Sequence, residues 1–194
     1  VEWKFAEKPE CHMIWRMLPG GTCCFEYDYR PDAGAYTLLG LSFSFPDSLV
    51  TGARLLADGP YRVWKNRLRG PLFGLYDKPF NNTVTGESWD YPEFKGYYSN
   101  FYAVELQTTA TPISIISASE DLYLHLFTPS TPKGATNNQT VPPFPAGDIS
   151  FLHAISAIGN KSHTAELTGP QGGKSAFQPN RNTKNLSGKL YFIF

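Results

Sequence analysis

The sequence predicts an all-β fold, an antiparallel β-sandwich, and three observations carry that expectation. Short runs alternate apolar and polar residues with a period of two, as half-buried strands do. Turn formers punctuate those runs, with 17 Gly and 16 Pro in 194 residues. No window of about a dozen residues carries a helical period, and helix start and stop signals are missing.

The elements follow in chain order. Val1-Glu-Trp-Lys-Phe5 alternates from the first residue. Phe25, Tyr27 and Tyr29 share one face of a strand, with Glu26, Asp28 and Arg30 on the other. Leu41, Phe43 and Phe45 alternate with Ser42 and Ser44 until Pro46-Asp47 stops the run. Strands are predicted over 51–56, 72–76, 97–107 and 112–118. Around residue 124, Leu122, Leu124 and Leu126 face one way and Tyr123, His125 and Phe127 the other. Further strands are expected over 149–153, 164–168 and 188–194. Residues 77–96, 128–148 and 169–187 read as loops of the length that often carries function. A chain that begins and ends inside strand pattern reads as one sandwich domain, residues 1–194, cut from a larger protein.

Charge and composition exclude several classes. Lys and Arg total 17 and Asp and Glu 17, so no electrostatic grip on nucleic acid or an anionic membrane is expected. No apolar run approaches the roughly 18 residues a spanning helix needs. Cys11, Cys23 and Cys24 are an odd number; adjacent Cys23 and Cys24 cannot bridge each other, and buried thiols are favoured over a Cys11–Cys23 bridge. His12, His125, His153 and His163 show no metal-ligand spacing, and Cys11-His12 with Cys23-Cys24 fits no zinc pattern. No metal or cofactor is therefore expected. Thr168-Gly-Pro-Gln-Gly-Gly-Lys-Ser175 has Thr where a phosphate loop needs its first Gly. Ser88 lacks the following glycine of a nucleophile elbow. Carboxylates are more informative. Glu87, Asp90 and Glu93 share a loop with Trp89 and Tyr91, next to Tyr97. Aromatic faces there can stack on sugar C–H faces while carboxylates accept from hydroxyls.

Gly59-Pro-Tyr-Arg-Val-Trp-Lys-Asn-Arg67 resembles the Gly-Pro-x-(Glu)-x-Tyr-x-Asp-Arg segment in the last domain of glycoside hydrolase family 2 β-galactosidases. Phe25-Glu-Tyr-Asp-Tyr29 and Leu39 to Val50 are similar to the strands that lead into it. Gly86 to Gly96 sits where the family has a Pro-x-Glu-Asn-Gly loop, and Ile115-Ile-Ser-Ala-Ser119 resembles its following strand. Asp148 to Gly159, which contains His153, is similar to its late His-x-Gly-x-Gly-Gly segment. The order is kept from about residue 13 to 194.

The resemblance implies a galactose-mutarotase-like β-supersandwich whose acid/base and nucleophile glutamates sit on a separate (β/α)8 barrel. It further implies no catalytic residue here, the barrel of the parent chain and a β-galactoside or related glycoside as partners, and a periplasmic or extracellular setting. Where the family lends a tryptophan to the sugar, this chain has Gly159-Asn-Lys-Ser-His163, so His163 takes that place; Arg62 and Asn66 are also departures. The expected sugar contacts are thus Trp89, Tyr91, Glu93, Tyr97, His153 and His163. A domain built to dock should expose an apolar patch when alone. Two alternatives stand beside this reading. One is a freestanding aldose 1-epimerase using His125 and His153 with Glu93 or Glu105. The other is a glycan-binding module carried by Trp89, Tyr91 and Tyr97.

Overall fold

The computed structural model describes residues 2–4, 11–32, 34, 36–59, 63–64, 71–80, 96–128, 143–157, 159, 163–167 and 185–194. Those residues form eleven strands, all paired antiparallel, and no α-helix occurs among them. The strands are β1 (Glu2–Lys4), β2 (Cys11–Met17), β3 (Thr22–Tyr29), β4 (Leu39–Phe43), β5 (Val50–Gly59), β6 (Leu72–Pro79), β7 (Tyr97–Thr108), β8 (Ile113–Ser117), β9 (Tyr123–Leu126), β10 (Ile149–Ala154) and β11 (Leu186–Ile193).

One sheet curls over itself, and β7 is where it turns. The C-terminal part of β7 pairs with β8 on one flank and β5 on the other, inside a large layer ordered β1-β2-β3-β11-β8-β7-β5-β6. Its first two residues, Tyr97 and Tyr98, pair instead with β9, which leads into a small layer ordered β9-β10-β4. Asn100 sits at the bend with φ of 47°, a left-handed conformation that Asn tolerates better than most residues. The Phe101 N–H donates to Leu122 O at 2.9 Å, so the chain after β8 keeps to the same flank of β7 before entering the other layer.

The two layers close on a single apolar interior. Phe25, Leu55, Leu124, Phe151 and Leu190 are fully buried. Rings meet across the gap: Phe25 and Phe192 of the large layer pack edge-on against Phe43 of the small one, at 5.5 and 6.1 Å between centroids. Such aromatic pairs add about 0.5–1.5 kcal/mol each beyond area burial. The alternation in β3 places its residues as expected, with Phe25, Tyr27 and Tyr29 buried and Glu26 and Asp28 half-buried outside.

Four expectations need correction. Where a strand was expected over 164–168, Ala165–Leu167 is a 3-10 turn, and residue 168 lies outside the described residues. β2 was not anticipated, because Ile14 interrupts the alternation of Met13, Trp15 and Met17 with polar neighbours. The loop expected from residue 77 starts later, since β6 runs to Pro79. The face of β9 opposite Leu124 and Leu126 is covered as well. Tyr123 and His125 pack into a second cluster with Val63, Trp64, Tyr97, Leu152 and Ile155, so β9 and β10 are covered on both faces. Phe127 leaves its expected face: at φ of 51° it turns back into the main interior, against Phe80.

Candidate functional site

Of the six sequence-predicted sugar contacts, Tyr97, His153 and His163 are described. Trp89, Tyr91 and Glu93 lie outside the described residues. His163 is exposed, just ahead of the 3-10 turn. Tyr97 is 2% exposed, stacked on Phe144 with centroids 5.2 Å apart, and its hydroxyl donates to Pro143 O at 2.7 Å. His153 stands on the opposite face of the small layer from Tyr97, directed into the gap between layers.

His153 anchors a polar group at that gap. Its Nε2 lies 3.0 Å from the Tyr27 hydroxyl, a bond that spans both layers. The Tyr27 and Tyr29 rings approach the imidazole at 5.8 and 6.3 Å. Burial lowers the His153 pKa and raises those of both tyrosines, so this set rests neutral. With its ring proton on Nδ1, the imidazole accepts from Tyr27. The Tyr29 hydroxyl is buried with no partner among the described residues. Cys11, cross-strand from Tyr29, has its thiol pKa raised by burial and then by Asp28, which makes it a poor nucleophile. Tyr27 fits only because Gly188 faces it across the β3–β11 pair: a Cβ there would lie 2.3 Å from the ring.

A second polar set crosses the other face of the small layer. Ser42, Ser150, His125 and Tyr97 are consecutive cross-strand neighbours on β4, β10, β9 and β7. The two serine hydroxyls are 2.7 Å apart, and Ser150 Oγ is 3.3 Å from His125 Nδ1. Desolvation pushes His125 down to about 4, with Asp148 opposing and Lys78 reinforcing that shift.

The outer face of the large layer carries the third feature. Leu75, Leu56, Ala103, Ile116, Tyr191 and Cys24 are successive cross-strand partners over β6, β5, β7, β8, β11 and β3. At about 4.8 Å per strand this apolar row runs roughly 24 Å. Leu75 is 63% and Ile116 41% exposed, and Phe73 and Tyr102, both about half exposed, contact each other near its β6 end. A polar row, Asp77–Arg54–Glu105–Ser114, runs alongside.

No cluster of three or more metal-ligating side chains occurs among the described residues. No family model matches the chain, and no curated protein does. Sequence reading singled out His125 and His153 but not Ser150 or Tyr27, their partners. Those lie 25 and 126 positions away, and only strand order and register bring them together.

Proposed function

We propose that the chain is an accessory, catalytically silent sandwich of a family 2 β-glycosidase, galactose-mutarotase-like in fold, that packs on a catalytic barrel and walls one side of its sugar pocket. The observation that carries this reading is the apolar row on the outer face of the large layer, exposed at Ile116 and at Leu75 on edge strand β6 and half-buried at Leu56, Ala103 and Tyr191 between and beside them. A row this long and uninterrupted is expected on a face meant to be covered. The two-layer antiparallel architecture is of the class the reading requires, and the colinear motifs of the sequence supply the family. In this arrangement the barrel contributes both catalytic glutamates. Trp89, Tyr91, Glu93 and His163 of this chain contribute stacking and hydrogen bonds to a β-galactoside or related glycoside.

The epimerase alternative is weakened by geometry: His125 is fully buried, and His153 has its Nε2 engaged by Tyr27 across the layers. Two measurements test the main reading. The isolated chain should not turn over aryl β-glycosides, and turnover would reject it. In the complete polypeptide, Leu75→Glu with Ile116→Glu should lower glycoside turnover while the isolated double variant stays folded. Unchanged turnover would remove this face as the docking surface.

A further inference from the structure

His125 lies in the polar row that starts at β4, the outermost strand of the small layer among the described residues. Ser42 is exposed on β4, whereas Ser150 and His125 are both 0% exposed. A hydroxyl donates and accepts at once, so Ser42–Ser150 can pass a proton from solvent to His125 Nδ1 without opening the interior. The far side of the ring is closed by aromatics. Tyr97 and Phe144 approach it at 5.2 and 5.6 Å, and Trp64 meets Tyr97 edge-on at 4.9 Å. Through its bond to Pro143 O, Tyr97 also ties the 143–144 segment down.

A neutral imidazole suits this box. A second ring proton, arriving at Nδ1, would leave a cation among apolar rings, with Ser150 Oγ the one hydrogen-bond partner the ring has among the described residues. The charged groups acting on it are Asp148, whose carboxylate already accepts from the Phe45 N–H at 2.8 Å, and Lys78. Tyr97 is the titratable ring in contact, and burial keeps its hydroxyl protonated. The cover therefore tolerates only one state of the ring.

We propose that His125 is an acid-operated latch, fed through Ser42 and Ser150, that holds Trp64 and the Phe144 segment on the small layer and releases them on gaining a proton. The pairing of β3 with β11 in the large layer is kept.

The test is hydrogen–deuterium exchange of the full chain from about pH 7 to about pH 3.5, corrected for intrinsic exchange, with unfolded histidine titrating near 6.5 as reference. Peptides from 122–127 and 143–157 should lose protection about tenfold at a higher pH than peptides from 22–29 and 186–193. His125→Phe and His125→Gln should abolish that early loss. Ser150→Ala should lower its midpoint, because protonated Nδ1 loses its acceptor. Early loss persisting in a folded His125 variant, or simultaneous loss in all segments of the unmodified chain, overturns the proposal. Should neither His125 variant fold, an unmoved Ser150→Ala midpoint overturns it as well.

Discussion

Gly188→Ala isolates one contact that joins both layers. Gly188 and Tyr27 are direct partners in the β3–β11 pair, facing the interior. An added Cβ would lie 2.3 Å from both Cζ and Oη of Tyr27, where ordinary contact begins at 3.4 Å. The ring must move by about an ångström, yet Tyr27 is 3% exposed, flanked by Phe25 and Tyr29, and bonded to His153. Overpacking of this kind costs about 1–3 kcal/mol. Loss of the Tyr27–His153 bond adds about 0.5–1.5 kcal/mol. Reduced freedom of the unfolded chain returns about 0.4–1 kcal/mol. The net expectation is a destabilisation of about 2 kcal/mol, read as a lower urea midpoint at unchanged slope. The decisive comparison is a double-mutant cycle. In a Tyr27→Ala background the clash is gone, and Gly188→Ala should be neutral or stabilising. An equal cost in both backgrounds would show that the glycine serves some end other than seating the tyrosine.

Further expectations follow from burial and charge. Phe151→Ala, at a fully buried position touching Phe43, Phe101 and Phe192, should cost about 3–5 kcal/mol in urea unfolding; a cost near zero would place the interior elsewhere. Leu75→Lys and Ile116→Lys, at exposed positions, should each stay within about 0.5 kcal/mol of the parent chain, which the same titration checks. His125 is neutral when folded, with a pKa lowered from 6.5 to about 4. Its contribution is therefore complete above pH 6.5 and falls away toward pH 4, by up to about 3 kcal/mol. His125→Phe should flatten that part of the stability–pH curve, and an unchanged curve would argue against the buried neutral ring. Cys11, Cys23 and Cys24 are free thiols, so reductant should leave the urea midpoint where it was.

Period-two patterning was enough to read most of the strands, because the residues that set it, such as Phe25, Tyr27 and Tyr29, answer to one neighbouring layer. It fails where a strand answers to two. β9 reads as one-sided from Leu122, Leu124 and Leu126, yet His125 is as buried as they are, since Tyr97 and Phe144 cover it and Trp64 packs on Tyr97, all from distant segments. Nothing local to residue 125 encodes that cover. The same holds for the candidate sites. His153 is visible in the sequence as a titratable residue in a strand, but its chemistry is decided by Tyr27, and Tyr27 by the missing side chain of Gly188. The apolar row on the large layer is hidden for a related reason: Leu75, Leu56, Ala103, Ile116 and Tyr191 come from five strands that are far apart in the chain. Only strand order converts those single residues into a continuous surface. A face assembled from so many separate strands is hard to explain by the local needs of any one of them, and the proposed docking role would give all of them one common cause.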